Sequence, residues 1–283
     1  MIAPTVPGRP VVEVVDLSAE YRTRRGVVRA LDRVSLAVAP GELLAIVGES
    51  GSGKSTLSQA LGRMLPRACH LVSGSVTVLG RDVAALGASE IRTLRRESLG
   101  FIPQDPIGSL DPTMRIGRQL VLALKPLGKA CDPATLIALM ESVKIVDPER
   151  ALGLFPHEIS GGMAQRVSIA MAMAREPEIL IADEPTGSLD AQVREEILEL
   201  IVRLTRASGA TLIWVSHDLG AVRRWCERVV VMYRGRIVED GPTDQVLIDP
   251  EHEYTRTLLA ALPTTSSIPH IASALADDGK EPV

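Results

Sequence analysis

The stretch Gly48-Glu-Ser-Gly-Ser-Gly-Lys-Ser-Thr56 combines the residue types that bind phosphate groups. It follows the apolar run Leu43-Leu-Ala-Ile-Val47, which predicts a short buried strand, and it precedes residues with helical spacing, Leu57-Ser-Gln-Ala-Leu61. Glycines in a strand-to-helix turn let several backbone N–H groups face one anion, and the following helix points its positive end there. Lys54 adds a cation for the outer phosphates, and the Ser55 hydroxyl can hold Mg²⁺. An ordinary Gly/Ser turn before a helix would require neither the Lys-Ser pair nor the preceding strand.

Two adjacent carboxylates, Asp183 and Glu184, follow a second apolar run, Ile179-Leu-Ile-Ala182. A carboxylate at the end of a buried strand can reach a metal ion, which is the role we expect for Asp183. The neighbouring Glu184 is suited to polarise an attacking water. The pair alone could equally be a polar loop cap, and the phosphate-binding stretch upstream favours the catalytic interpretation.

Four further positions are weaker candidates when each is taken alone. Ser160-Gly-Gly162 opens a predicted helix and could bind an anion, cap the helix, or do both. His217 follows a strand and could reach a phosphate, although a histidine there is more often structural. Taken alone, Gln104 is only a glutamine in a loop, and Tyr21 is a residue that packs within a sheet.

The composition bounds the class of protein. The chain has 283 residues, 46% of them hydrophobic, enough for one large domain or two small ones. Its net charge of −4 and its 2% aromatic residues argue against a nucleic-acid binder. The three cysteines show no metal or disulfide spacing, which is typical of a reducing compartment. No apolar run is long enough to span a bilayer and no signal peptide is recognisable, so work at a membrane would require an anchoring partner.

The order of predicted elements indicates an α/β fold. Val11–Val15 and Val34–Val38 predict strands of an N-terminal antiparallel sheet, and strands then alternate with helices in the pattern of a mostly parallel sheet. The alternation is interrupted by a helix-rich stretch, which we interpret as an inserted helical subdomain over about 105–176. We expect 1–10 and 264–283 to be flexible.

In their order and spacing these motifs resemble those of the ATP-binding cassette family, over about residues 10–263. The resemblance implies a P-loop NTPase core with an ATP and Mg²⁺ site. It assigns catalytic roles to Lys54, Gln104, Glu184 and His217, and metal ligation to Ser55, Gln104 and Asp183. It also implies further contacts to the nucleotide. Tyr21 would stack on the adenine, and the loop would contribute Gly48, Glu49, Ser50, Gly51, Ser52, Gly53 and Thr56. The signature motif would contribute Ser160, Gly161, Gly162 and Gln165, and the D-loop Ser188-Leu-Asp190 would contribute Asp190.

Finer features resemble one branch, the ATPases of dipeptide, oligopeptide and nickel importers. The matching segments are Gln104–Pro112, Phe155–Met163 and His252–Pro263, with departures at Ala164, Ser188 and Glu253. In the family, two cassettes face each other head to tail, so that each ATP lies between the Walker motifs of one (48–56 and 179–183) and the signature of the other. The branch implies that the two cassettes are usually non-identical. It also implies two membrane permease subunits, an extracytoplasmic binding protein, no nucleic acid, and a peripheral location on the cytoplasmic face of the inner membrane.

Two other functions remain open from the sequence. A soluble cassette ATPase acting on DNA or ribosomes usually has a second cassette or a long coiled-coil insertion, and the sequence has neither. An exporter ATPase could have its membrane segments on another chain, so only the branch-specific motifs argue against it.

Overall fold

The structure, a computed structural model, describes residues 8–24, 26–187 and 189–261. We expected flexibility in 1–10 and 264–283. Of these, residues 1–7 and the whole of 264–283 lie outside the described residues. The strands are β1 Val12–Thr23, β2 Gly26–Val38, β3 Leu43–Val47, β4 Cys69–Val78, β5 Arg81–Asp82, β6 Leu99–Ile102, β7 Ile179–Asp183, β8 Thr211–Ser216, β9 Arg228–Tyr233 and β10 Arg236–Pro242. The α-helices are α1 Lys54–Leu61, α2 Ala88–Glu97, α3 Ile116–Leu124, α4 Pro133–Ser142, α5 Pro148–Gly153, α6 Gly161–Met173, α7 Ala191–Ser208, α8 Leu219–Trp225, α9 Thr243–Ile248 and α10 Glu253–Ala260.

A mostly parallel sheet forms the centre of the fold, as predicted. Its strand order is β10-β9-β3-β8-β7-β6, and every neighbouring pair is parallel except β9 with β10. Strands β3, β7 and β8 are buried along their whole length, which explains their continuous apolar sequences. Because β3, β6, β7 and β8 run in one direction, the segments that follow them emerge at the same edge of the sheet.

Alternate residues of β3 contribute to two separate hydrophobic cores. Leu43, Ala45 and Val47 pack into the core formed with the helices, whereas Leu44 and Ile46 pack into the core beneath the antiparallel sheet. This division follows from the period of two along a strand. The strand that leads into the phosphate loop is thus fixed from both faces.

The antiparallel sheet has the order β2-β1-β4-β5 and is larger than the sequence predicts. Strand β1 continues to Thr23 rather than ending at Val15, so Tyr21 lies within it. The register between β1 and β2 shifts between Val14 and Leu17, and Asp16 has a φ of 46°. The resulting bulge breaks the alternation of apolar residues, which is why the sequence pattern ends early.

Helices α3 to α6 lie between β6 and β7 in the chain, with no strand among them. They occupy the stretch in which we expected an inserted helical subdomain, and their apolar residues join the core on the helical side of the parallel sheet. Among the residues that the structure describes, no helix is long and apolar enough to cross a membrane.

Candidate functional site

Four chain segments meet at the carboxyl edge of the parallel sheet. The loop 48–53 follows β3, Gln104 lies two residues beyond β6, Glu184 follows β7, and His217 follows β8. In open α/β sheets this edge is where ligands bind. Residues from all four segments line one cleft of about 500 Å³.

Two glycines of the loop are required by close backbone contacts. Gly48 has a φ of 146°, and a Cβ built on it would lie 2.2 Å from the carbonyl oxygen of Met232. Gly53 has a φ of 106°, and its Cβ would lie 2.5 Å from the carbonyl oxygen of Ala30. Any side chain at either position would force the loop away from its supports, and these supports hold the loop in its turn at the start of α1.

The Lys54 ammonium group is folded back over the loop. Its Nζ donates hydrogen bonds to the carbonyl oxygens of Gly48 and Glu49, each at 2.8 Å. The side chain is buried, and burial lowers its pKa, although the carboxylates of Glu184 and Asp183 oppose that shift. A buried cation beside a glycine-rich loop at the start of a helix is suited to bind anionic oxygens.

Ser55 and Asp183 bring two hard oxygen ligands together. The Ser55 hydroxyl donates a hydrogen bond to Asp183 Oδ1 at 3.0 Å. Burial raises the pKa of Asp183, and the nearby charge of Glu184 adds to the shift, while the bond from Ser55 opposes it. A bound cation would compensate the buried charge of the carboxylate. Oxygen pairs of this kind suit small divalent cations, which retain several waters and need few protein ligands.

Glu184 lies between Gln104 and His217. Its Oε2 accepts a hydrogen bond from Gln104 Nε2 at 3.1 Å and lies 3.5 Å from His217 Nδ1. The backbone of Glu184 has a φ of 44°, a left-handed conformation that costs a non-glycine residue on the order of 1 kcal/mol. This conformation carries the chain out of β7 toward the cleft. Three side chains from three loops thus converge at one point of the cleft.

Tyr21 forms part of the wall of the same cleft. Its hydroxyl lies 3.4 Å from Thr56 Oγ1, so the tyrosine is tied to the first turn of α1. Ser50 and Gly51 also line the cleft. Glu49 and Ser52 do not, and the Ser52 hydroxyl is buried without a hydrogen-bond partner.

Three residues of β2 also line the cleft and were not predicted from the sequence, namely Val28, Arg29 and Ala30. Val28 pairs directly with Tyr21 across the two strands, and Arg29 is held by Glu20 at 2.8 Å. These residues could have been predicted from the register of β1 against β2. The bulge in β1 shifts that register, so the sequence pattern does not indicate it.

The signature residues lie at the start of α6 and outside this cleft. Ser160 is an exposed N-cap that accepts a hydrogen bond from the Met163 N–H at 3.2 Å, and Gly161 and Gly162 begin the helix. Both alternatives raised for Ser160 remain compatible with this geometry, because a capping hydroxyl at an exposed helix start can also meet an anion.

Gln165 is the most buried of the signature residues. It is only 1% exposed, and its Nε2 atom has no hydrogen-bond partner. Its contact with a nucleotide stays a prediction. Asp190 caps α7 by accepting a hydrogen bond from the Val193 N–H at 3.0 Å, and Ser188 lies outside the described residues.

Comparison with known proteins identifies a family match. A family model described as "ABC transporter" matches residues 31–187. The chain is 43% identical over 260 residues to an oligopeptide transport ATP-binding protein of Bacillus subtilis, covering 90% of this chain and 73% of that protein. It is 42% identical over 256 residues to a probable peptide ABC transporter ATP-binding protein of Sinorhizobium fredii, covering 89% and 76% of the two chains.

Solved structures give the same fold. The cassette MJ0796, solved as a dimer in a post-hydrolysis state bound to ADP and phosphate, superposes with a TM-score of 0.73 at 28% identity, covering 82% of this chain and 98% of that one. The cbiO1 protein of Clostridium perfringens, part of a cbiONQ transporter complex, gives a TM-score of 0.69 at 27% identity, with 86% and 92% covered.

Proposed function

This chain belongs to the ABC transporter family and hydrolyses ATP, and we propose that it is the energising subunit of an importer for peptides. The observation that carries the proposal is sequence identity to two proteins described as peptide transport ATP-binding proteins. The identity is 43% and 42%, over 90% and 89% of this chain. A third relative, a putative peptide import ATP-binding protein of Brucella abortus that is 39% identical over 280 residues, favours import over the exporter and soluble alternatives. The cleft supplies the chemistry that such a subunit needs.

The roles proposed for the cleft residues follow from their contacts. Lys54 and the N–H groups of the loop bind the β- and γ-phosphates, where they stabilise the negative charge of the transition state. Glu184 accepts a hydrogen bond from the attacking water and orients it. Gln104 and His217, both beside Glu184, hold that carboxylate and reach the γ-phosphate.

The donor set fits Mg²⁺. We propose that Ser55 and Asp183 hold the ion, with Gln104 contributing through its amide oxygen. When bound, Mg²⁺ neutralises charge on the β- and γ-phosphate oxygens. The hydrogen bond between Ser55 and Asp183 keeps the two protein oxygens together before nucleotide arrives.

Tyr21 is the proposed adenine contact, and its substitution gives a first prediction. Tyr21→Ala should raise the apparent KM for ATP several-fold, since aromatic stacking contributes on the order of 1 kcal/mol. Tyr21→Phe keeps the ring and loses only the hydroxyl near Thr56, so its effect should be mild. Steady-state ATPase measurements on both variants distinguish these roles. Equal effects would assign the contribution to the hydroxyl or to packing and would contradict stacking.

The signature residues require a second subunit in this proposal. Ser160, Gly161 and Gly162 lie outside the cleft that contains Lys54, so we propose that they complete the nucleotide site of a partner cassette, with Asp190 beside that interface. A structural relative is dimeric with ADP and phosphate bound. We further propose that the partner is a non-identical cassette, and that the pair binds two permease subunits, supplied by a binding protein, at the cytoplasmic face of the inner membrane.

A second prediction tests this assembly. The purified chain should hydrolyse ATP slowly alone, and the rate should rise when the candidate partner cassette and permeases are added in liposomes, with a further rise when the binding protein brings peptide. Ser160→Arg places a bulky cation where the partner's γ-phosphate would dock, so it should abolish the rise while this chain still binds ATP. Phosphate release measured against protein concentration is the readout.

Ser208→Arg is the matched control, because it adds the same bulk and charge at an exposed serine that ends α7, away from the start of α6. It should retain most of the stimulated rate. Full activity of the isolated chain, rising with its own concentration, would contradict the non-identical pair and indicate a homodimer. Stimulation without any response to peptide would contradict peptide import.

A further inference from the structure

The C-terminal helix α10 contacts the phosphate loop through one side chain. The backbone N–H of Glu49 donates a hydrogen bond to the hydroxyl oxygen of Tyr254 at 2.9 Å. The two residues are 205 positions apart in the chain. Tyr254 belongs to the segment His252–Pro263, to which neither the fold nor the proposed chemistry gives a role.

The peptide group that Tyr254 contacts is one that Lys54 also contacts. The carbonyl oxygen of Gly48 belongs to the same peptide unit as the Glu49 N–H, and it accepts a hydrogen bond from Lys54 Nζ at 2.8 Å. Because a peptide unit is planar, holding its N–H fixes the direction of its carbonyl. Tyr254 therefore fixes the peptide whose oxygen positions the lysine ammonium group.

Tyr254 is itself held in place on several sides. Its side chain is 8% exposed, and its ring stacks on Tyr233 with centroids 4.0 Å apart and planes at 24°. Its backbone N–H donates to His252 Nδ1 at 3.1 Å. The carboxylate of Glu239 in β10 accepts hydrogen bonds from the N–H groups of Glu251 and His252, at 2.8 and 3.2 Å. These contacts seat α10 on the hairpin of β9 and β10.

We propose that Tyr254 is a positioning residue of the nucleotide site, through which α10 sets the orientation of the Gly48–Glu49 peptide and so of Lys54. The inference rests on the proposed role of the loop in binding ATP. It assigns a function to the C-terminal helix: the phosphate loop is in its binding geometry only while α10 is seated. Release of α10 would loosen the loop without altering any residue in the cleft.

The test compares two single-hydroxyl deletions in the full chain. Tyr254→Phe removes the acceptor for the Glu49 N–H and keeps the ring stack. Tyr233→Phe is the matched control, since it removes a hydroxyl from the other ring of the same stack. We expect Tyr254→Phe to weaken ATP binding about two- to tenfold, the range for one hydrogen bond. Tyr233→Phe should bind ATP as the wild type does. ATP affinity is measured by titration, and thermal unfolding is followed for both variants.

A second readout separates positioning from general destabilisation. Hydrogen–deuterium exchange of the peptide spanning 45–53, measured without nucleotide, should be faster in Tyr254→Phe and unchanged in Tyr233→Phe. Wild-type affinity in Tyr254→Phe, or weaker binding with unchanged exchange at the loop, would overturn the inference. Failure of the wild-type chain to bind ATP would contradict the proposed function instead, whereas the exchange comparison tests the Tyr254 contact independently of ATP.

Discussion

Replacement of Glu184 by glutamine should leave ATP binding intact and reduce ATP hydrolysis by about 100-fold or more, the range for loss of a general base. The amide has the size of the carboxylate, so its neighbours Gln104 and His217 keep their places. It lacks the negative charge that draws a proton from the attacking water. Phosphate release by the assembled complex is the measurement, together with ATP retention after removal of free nucleotide.

Because the variant binds ATP without consuming it, we also expect it to trap the closed pair of cassettes. Size-exclusion chromatography of the variant with its partner cassette and ATP should show a stable pair that the wild-type chain does not retain. Glu141→Gln is a suitable control, since Glu141 is an exposed carboxylate on α4. Near-normal turnover of Glu184→Gln in the assembled complex would rule out the role assigned to this residue.

Replacement of Lys54 by alanine should act at an earlier step, by weakening the binding of ATP itself. Removing one member of a buried charge pair costs about 2 to 5 kcal/mol, so we expect a loss of affinity on the order of 100-fold. The substitution also removes the two hydrogen bonds to Gly48 and Glu49, which leaves the loop less ordered. Equilibrium titration with ATP is the measurement.

Lys129→Ala is the matched control, because Lys129 forms a surface ion pair with Glu176. Its affinity for ATP should equal that of the wild type. An unchanged affinity in Lys54→Ala, or an effect confined to turnover, would contradict phosphate binding by this lysine.

The parallel sheet and the cleft edge could be predicted from the sequence for a physical reason. Strands buried on both faces are short continuous apolar runs, and the polar residues that follow them stand out, as Asp183 and Glu184 do after β7. Since parallel strands end at one edge of a sheet, the sequence alone is enough to expect the residues that follow β3, β6, β7 and β8 at that edge.

The remaining features depend on register and on contacts distant in sequence. The bulge near Asp16 interrupts the pattern of β1, which concealed both the length of that strand and the cleft residues of β2. The motif that contains Gln165 does not indicate how far this side chain is buried, because burial depends on how α6 packs against the rest of the domain. Tyr254 meets Glu49 only because α9 and α10 return the chain to the phosphate loop.

The most direct test of the proposed mechanism is the structure of the Glu184→Gln protein bound to its partner cassette, ATP and Mg²⁺. We expect the γ-phosphate within hydrogen-bonding distance of Lys54 Nζ, the metal held by Ser55 and Asp183, and a signature helix of the other subunit on the opposite side of the nucleotide. ATP bound away from the loop 48–53, or a metal without Ser55 and Asp183 among its ligands, would contradict it.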